Sequence, residues 1–292
     1  MAVLIADGTP PLRGYSPDEF ERQYTPSSRI PSIQPYLDEY AARGASQRAA
    51  TEHQRLAYGD HPDEWLWYAP AAPEHRGTAP LQVFIHGGYW QRLSADDGTL
   101  SSVDFVSRGA AFASINYTLC PGAPLSELVR QVRSAITWLS THAAELGHHP
   151  QRIHLSGHSA GAHLAAMAVI DAPVPIAGVT FISGVYDLTA IPHTTVNEAV
   201  GLDEAEARAL SPLARIVRTS THAIVTVAQN DTDEFRRQAW AFASAWGEVP
   251  GNVPPVAIEV AGHHHFDIVF QLGDPGTALG TAVLQQMGLA AR

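Results

Sequence analysis

Residues 157–161 have the sequence Gly-His-Ser-Ala-Gly, a pattern that suits a serine nucleophile. An apolar strand-like run at 153–156 precedes it, and a helix-like run at 162–170 follows it. On such a strand-to-helix turn the serine takes a strained positive φ, and small neighbours let strand and helix approach closely. Ser159 would then lie at the helix N-terminus, where the Ala160 N–H can stabilise an oxyanion. A chance match is the alternative, and the flanking strand and helix disfavour it.

A serine is inert at neutral pH unless a base takes its proton and a third group orients that base. Asp231 directly follows a predicted strand at 223–228, whereas Asp233 and Glu234 fall in the first turn of the next helix. We therefore predict that Asp231 is the orienting acid. The alternative is that Asp231 caps that helix, with Glu234 three residues later completing a D-x-x-E capping box.

Three adjacent histidines, His263, His264 and His265, follow the predicted strand at 256–260. Spacing alone leaves open which of them is the base. A metal site is the alternative, but consecutive side chains diverge and cannot converge on one ion as i, i+4 pairs do. We therefore predict no metal and no cofactor.

A second glycine motif follows the buried strand-like run at 83–85. Two glycines after a strand let backbone N–H groups turn toward a bound carbonyl oxygen, which would complete an oxyanion hole. An ordinary Gly-Gly turn is the alternative, and the serine motif favours the oxyanion role. The motif is His86-Gly87-Gly88-Tyr89-Trp90, and the predicted oxyanion residues are Gly87, Gly88, Tyr89 and Ala160.

Strand and helix patterns alternate along the chain, as a scaffold for these loops requires. Several strand candidates are apolar runs without polar alternation, which is typical of strands buried on both faces of a parallel sheet. They lie at 65–68, 81–85, 111–116, 153–155, 176–182, 223–228 and 256–260. Apolar residues at helical spacing predict helices over 125–139, 160–170 and 235–246. Gly147 is predicted to end the first of these helices and Gly247 the last.

The alternation predicts a doubly wound, mostly parallel α/β sheet with helices on both faces and a site beyond the carboxyl ends of the strands. The chain order of serine, acid and histidine is that of the α/β-hydrolase fold. The 292 residues, 45% of them hydrophobic, fit a single domain. Prolines break up residues 1–40, so we expect this segment to cover the domain, and residues 191–213 are predicted to form a small lid insertion.

Composition argues against several classes of partner. The net charge is −11 and the 18 basic residues are scattered, so we expect neither nucleic acid nor an anionic membrane to bind. Residues 1–6 are apolar but lack a basic flank, so neither a signal peptide nor a spanning helix is expected there. The single cysteine, Cys120, excludes an intramolecular disulfide and fits a reducing compartment, and a cytoplasmic location is expected. The oligomeric state stays open, with a homodimer as one option.

The chain resembles the α/β-hydrolase arylformamidases, also called kynurenine formamidases, whose oxyanion motif is His-Gly-Gly-x-Trp. The resemblance runs from about residue 19 to about residue 272, with matching stretches at 21–27, 86–90, 183–188, 230–238 and 265–269. It implies Ser159 as the nucleophile, Asp231 as the acid and His265, directly before Phe266, as the base. His264 departs from the family, which more often has Asn or another residue there.

The resemblance implies metal-free hydrolysis of an aryl formamide, with N-formylkynurenine giving formate and the free aryl amine. The expected partner is therefore a small-molecule aryl formamide or ester. A carboxylesterase of broad small-ester scope is the alternative among enzymes, and a catalytically silent binding protein of the same fold is the alternative outside them. Four aromatic residues are predicted either to wall the substrate or to pack in the core: Tyr89, Trp90, Tyr186 and Phe266.

Overall fold

The computed structural model describes residues 14–289 and contains one eight-stranded sheet of order β1-β2-β4-β3-β5-β6-β7-β8. The first two pairings, β1 with β2 and β2 with β4, are antiparallel, and the other pairings are parallel. The predicted mostly parallel α/β sheet is therefore confirmed. The strands are β1 (Gln54–Ala57), β2 (Trp65–Ala69), β3 (Ala79–Ile85), β4 (Ala111–Ile115), β5 (His148–His158), β6 (Gly178–Ile182), β7 (His222–Ala228) and β8 (Val256–Val260).

Helices connect the strands and flank the sheet. Most follow the predicted alternation, and the helix after β5 has the bounds that the sequence pattern predicts. The α-helices are α1 (Pro17–Gln23), α2 (Gln34–Ala50), α3 (Ser102–Val106), α4 (Leu125–Thr141), α5 (Ala143–Leu146), α6 (Ala160–Ile170), α7 (Asn197–Val200), α8 (Glu204–Ala209), α9 (Asp233–Glu248) and α10 (Ala278–Gln286).

The two faces of the sheet carry separate apolar layers. Along β3, Leu81, Val83 and Ile85 point into the larger layer, whereas Phe84 points into the smaller one, because successive side chains alternate across a sheet. Helices α4, α6 and α9 fill the larger layer, and α2, α3 and α10 fill the smaller. Every residue of α6 is buried, so this helix is held rigidly between the sheet and its neighbours.

Several predicted element ends are corrected by the structure. The strand predicted at 153–155 lies inside the longer β5, which begins at His148 and ends at His158. Helix α4 already ends at Thr141, and Gly147 instead ends the short α5. Helix α9 runs one residue past Gly247. The sequence pattern does not predict β1, an antiparallel edge strand whose side chains are mostly exposed.

The described part of the N-terminal segment forms two helices that pack on the domain. The Ser16 side chain caps α1, and Pro17 occupies its first turn. The Tyr40 hydroxyl of α2 donates to the carbonyl oxygen of Phe266, in the loop after β8. Residues 1–13, which belong to the predicted covering segment and include the run assessed as a leader, lie outside the described residues.

Residues 191–213 contain α7 and α8 between short 3-10 turns. Asp203 and Glu206 form a capping box at the start of α8. The backbone N–H of Thr195 donates to the Glu21 carboxylate of α1 at 3.1 Å, which ties this segment to the N-terminal helix. Whether residues 191–213 move as a lid stays a prediction. No helix within residues 14–289 is both long and apolar enough to cross a membrane.

Candidate active site

The turn between β5 and α6 holds Ser159 in a strained backbone conformation, with φ 55° and ψ −120°. Its N–H donates to the carbonyl oxygen of Ile182 at 2.8 Å, which fixes the turn to the end of β6. Gly161 is required here, because a Cβ at this position would lie 2.0 Å from the carbonyl oxygen of Ile85. Helix α6 thus starts in close contact with β3, the geometry that the glycine motif predicts.

Three buried side chains from three loops form a continuous series of hydrogen bonds. Ser159 Oγ lies 2.9 Å from His265 Nε2, and His265 Nδ1 lies 2.9 Å from Asp231 Oδ2. Because a carboxylate can only accept, Nδ1–H donates to Asp231, which leaves Nε2 to accept the serine proton. The structure thus brings together the three residues predicted as nucleophile, base and acid.

Asp231 does not cap the helix that follows it. The N-cap of α9 is Thr232, whose hydroxyl accepts a backbone N–H of the first turn at 3.4 Å. Asp231 accepts the Thr232 N–H on Oδ1 at 3.0 Å and directs Oδ2 toward His265. Glu234, the second acid of the alternative capping box, pairs with Arg237 at 2.9 Å. The capping-box alternative is therefore wrong.

Two of the three adjacent histidines, His263 and His264, lie near the same Asp267 carboxylate, and the third, His265, contacts Ser159 and Asp231. His263 Nδ1 lies 3.3 Å from the Asp267 carboxylate, and His264 Nε2 lies 2.8 Å from the Tyr36 hydroxyl. Only His265 reaches the serine. Within residues 14–289, no three His, Cys, Asp or Glu side chains are grouped so that they could hold a metal ion. That catalysis needs no metal stays a prediction.

The Gly-Gly turn after β3 passes directly over the serine. A Cβ on Gly87 would lie 3.2 Å from Ser159 Cβ, and Gly88 has a φ of 97°, which L-residues rarely adopt. Tyr89 also has a positive φ, 52°. Among the described residues, none accepts a hydrogen bond from the backbone N–H of Gly88, Tyr89 or Ala160. These N–H groups are therefore free to bind an oxyanion.

His158, the residue before the serine, holds the loop that carries His265. Its Nε2–H donates to the His265 carbonyl oxygen at 2.7 Å, and the two rings lie 4.9 Å apart. Burial lowers the pKa of His158 to about 3, so the ring is neutral and places no charge beside His265. The sequence reasoning did not assign this role, and only its position beside Ser159 marks it.

A cleft of about 270 Å³ opens beside Ser159 and His265. Tyr89 and Phe266, both predicted as substrate walls, line it. The sequence does not predict that the N-terminal segment and the 191–213 segment also line the cleft. Their side chains in it are Thr25, Pro26, Ser27, Ile33, Leu37, Tyr40, Thr195 and Val196.

The other two aromatic residues predicted as substrate walls lie in the core. Trp90 is fully buried, with its ring edge-on to His163 at 5.1 Å. Tyr186 is also fully buried and stacks on Phe242 at 4.2 Å. Neither lines the cleft, so the core-packing alternative is correct for both.

Cys120 is not a competing nucleophile in this site. The side chain is buried and does not line the cleft. Burial raises the pKa of its thiol to about 11, which keeps the reactive thiolate form rare at neutral pH.

The chain is similar to known hydrolases over most of its length. The BD-FAE family profile matches residues 68–175. A kynurenine formamidase of Danio rerio is 32% identical over 94% of this chain and 98% of its own length. A crystal structure from Silicibacter sp., described as a candidate thioesterase, has a TM-score of 0.78 at 28% identity and covers 90% of this chain and 98% of its own.

A more distant structure, esterase 2 of Thermogutta terrifontis, shares the fold with a TM-score of 0.68 at 23% identity, over 82% of this chain and 96% of its own. The predicted α/β-hydrolase fold and the predicted family are both confirmed. The relatives make the protein a hydrolase of amide or ester bonds. The chain belongs to the arylformamidase, or kynurenine formamidase, family.

Proposed function

We propose that the protein hydrolyses aryl formamides by serine catalysis and that N-formylkynurenine is its substrate. The observation that carries the proposal is the buried hydrogen-bonded series of Ser159, His265 and Asp231, with both distances 2.9 Å, beside an open cleft. Membership of the family supports the choice of substrate, because the Danio rerio relative is named a kynurenine formamidase.

In the first half of the reaction, Ser159 Oγ attacks the formyl carbon while His265 Nε2 takes the hydroxyl proton. The carbonyl oxygen gains negative charge, and the N–H groups of Ala160 and of Gly88 or Tyr89 stabilise it. Asp231 stabilises the imidazolium that forms. His265 then donates its proton to the leaving nitrogen, the C–N bond breaks, and the aryl amine departs from a formyl-Ser159 ester.

In the second half, water attacks the formyl ester and His265 takes one of its protons. The same N–H groups stabilise the second oxyanion. When that intermediate collapses, the proton returns to Ser159 Oγ and formate leaves. The free enzyme is restored with no external acid, base or metal in the cycle.

The proposed substrate combines a small acyl group with a larger aryl leaving group. A formyl group is the smallest acyl group, so it needs little space beside Ser159. The main cleft, of about 270 Å³, is much larger than a formyl group, and the Tyr89 and Phe266 rings supply aromatic contacts for an aryl amine.

A carboxylesterase that acts on short acyl esters is the second candidate. The same serine, histidine and oxyanion donors would cleave an ester, which has a better leaving group than an amide. Similarity to the Thermogutta terrifontis esterase supports the fold that both activities share. The two candidates therefore differ in substrate preference rather than in catalytic residues.

Parallel assays with N-formylkynurenine and p-nitrophenyl acetate separate these functions. We expect release of formate and kynurenine with a kcat/KM above that for the acetate ester. Ser159→Ala should abolish both activities, and Cys120→Ser, the control for the other nucleophilic side chain considered, should retain them. Ester hydrolysis without deformylation would favour the carboxylesterase, and no turnover of either substrate would favour a silent binding protein.

A further inference from the structure

Arg92 is an unpaired cation at the active-site cleft. Among the arginines within residues 14–289, only the guanidinium groups of Arg92 and Arg218 have no hydrogen bond, ion pair or ring contact to another described residue. Arg92 lines the cleft and Arg218 does not. A chain that pairs nearly all its described arginines thus leaves one free at the cleft that Ser159 also lines.

The backbone of Arg92 is anchored to the Gly87-Gly88 turn, which carries the proposed oxyanion donors. Its N–H donates to the Gly88 carbonyl oxygen at 3.1 Å, and its Cβ lies 3.2 Å from where a Cβ on Gly88 would stand. The next residue back, Gln91, donates its side-chain N–H to the Val196 carbonyl oxygen at 2.9 Å. The side chain of Arg92 therefore starts from a fixed point on the turn that faces Ser159.

The charges around the cleft favour an anion at this point. Among residues 14–289 no Asp or Glu lines the cleft, although the whole chain has a net charge of −11, and the Glu21 carboxylate that accepts from the lining residue Thr195 forms no ion pair with Arg92. His158, which also lines the cleft, is neutral because burial lowers its pKa to about 3. A guanidinium that pairs with no carboxylate of the described residues can bind a ligand carboxylate through two parallel hydrogen bonds.

We propose that Arg92 binds a carboxylate on the leaving group of the substrate, so that the enzyme prefers anionic aryl formamides and esters to neutral ones. This rests on the proposed function, since it assumes that Ser159 attacks an acyl group whose aryl leaving group occupies the main cleft. The leaving group carries the carboxylate because Arg92 lines that cleft.

The test compares matched neutral and anionic substrates. One pair is phenyl acetate and 3-acetoxybenzoate, and the second is formanilide and 3-formamidobenzoate. Arg92→Met should lower the anionic-to-neutral ratio of kcat/KM about 10-fold, mainly through KM of the anionic member, because it keeps side-chain length and removes the charge. Arg218→Met, the control for the other unpaired arginine, should leave the ratio unchanged. Added salt should reduce the wild-type ratio.

An unchanged ratio in Arg92→Met, or an equal change in Arg218→Met, would overturn the role of Arg92. Activity confined to the ester pair would contradict the proposed deformylation while the ester ratio still decides the role of Arg92. If neither pair is hydrolysed, calorimetry can compare the binding of 3-aminobenzoate, an anionic aryl amine, with the binding of aniline, a neutral one. Tighter binding of 3-aminobenzoate that Arg92→Met removes would support the proposal, and equal binding would refute it.

Discussion

Gly88→Ala should impair catalysis as well as stability, because the change falls on the turn proposed to present the oxyanion donors. Gly88 has a φ of 97°, and an added Cβ would lie 2.3 Å from the Arg92 carbonyl oxygen. That oxygen belongs to the backbone, so the turn itself must shift. Gly77→Ala is a matched control, since Gly77 has a φ of 81° and nothing within 4 Å of an added Cβ.

The two substitutions separate backbone strain from the clash. Strain alone should cost Gly77→Ala about 1–2 kcal/mol of unfolding free energy. The overlap in Gly88→Ala adds roughly 1–3 kcal/mol, for about 2–5 kcal/mol in all. Displacing one oxyanion donor lowers kcat by about 10²–10³-fold. Gly88→Ala should therefore lose at least about 100-fold in kcat, and Gly77→Ala should keep near wild-type activity.

Urea unfolding at constant m-value measures the stability changes, and ester and formamide hydrolysis measure kcat. The assay temperature must leave both variants folded. If Gly88→Ala were folded and kept kcat within about threefold of wild type, the turn would not supply oxyanion donors, and the assignment of Gly88 and Tyr89 would be wrong.

Three further predictions concern metal, acyl length and acid stability. Activity should survive prolonged EDTA treatment, because residues 14–289 contain no group of three side chains that could hold a metal ion and His265 is bonded to Ser159 and Asp231; recovery of a chelator-inhibited activity on adding Zn²⁺ would contradict this. Butyryl esters should be cleaved at least about 10-fold less efficiently than acetyl esters, because an extra methylene in a tight acyl pocket costs ~1–3 kcal/mol, and a preference for butyrate would refute the small acyl site. The unfolding free energy should fall by up to about 1.4 kcal/mol per pH unit for each buried histidine as pH drops from 6.5 toward 4, because the unfolded chain then binds protons that the buried rings exclude. Urea unfolding across this pH range measures the change. A flat profile would contradict the low pKa values, about 3 to about 4, of His86, His148, His154, His158 and His163.

The elements nearest the site are the ones that local sequence predicts best. The run at 160–170 predicts α6 with the bounds that the structure has, because it is uninterrupted and apolar and follows a glycine motif with a specific backbone requirement. Asp231 and His265 are placed by short loops after strands β7 and β8, so their meeting with Ser159 follows from strand order in a parallel sheet.

The walls of the cleft are harder to predict because they form through tertiary contacts. Helix α2 buries only Tyr40 and Gly44, so it has too short an apolar stripe to give a helical pattern. Its position depends on contacts with distant residues, such as the Tyr40 hydroxyl with the Phe266 carbonyl oxygen and Arg48 with Thr99. No pattern local to residues 25–40 marks them as part of a site.

Local sequence also does not decide whether an aromatic residue lines the cleft or packs in the core. Tyr89 and Trp90 are adjacent and both have a positive φ, yet Tyr89 lines the cleft and Trp90 is fully buried. The Tyr89 hydroxyl donates to the Tyr24 carbonyl oxygen at 2.6 Å, a contact with the N-terminal segment. Which ring meets the substrate is therefore decided by chain packed from elsewhere in the sequence.

The most direct test of the central claim is a double-mutant cycle on N-formylkynurenine deformylation, with formate release measured for wild type, Ser159→Ala, His265→Ala and the double variant. Because nucleophile and base act as a unit, each single change should lower kcat by roughly 10⁴-fold and the double variant should be little worse. His263→Ala, the control in the same loop, should have a mild effect. Retention of a tenth of wild-type activity in folded Ser159→Ala, or an essential His263 with a dispensable His265, would contradict the account.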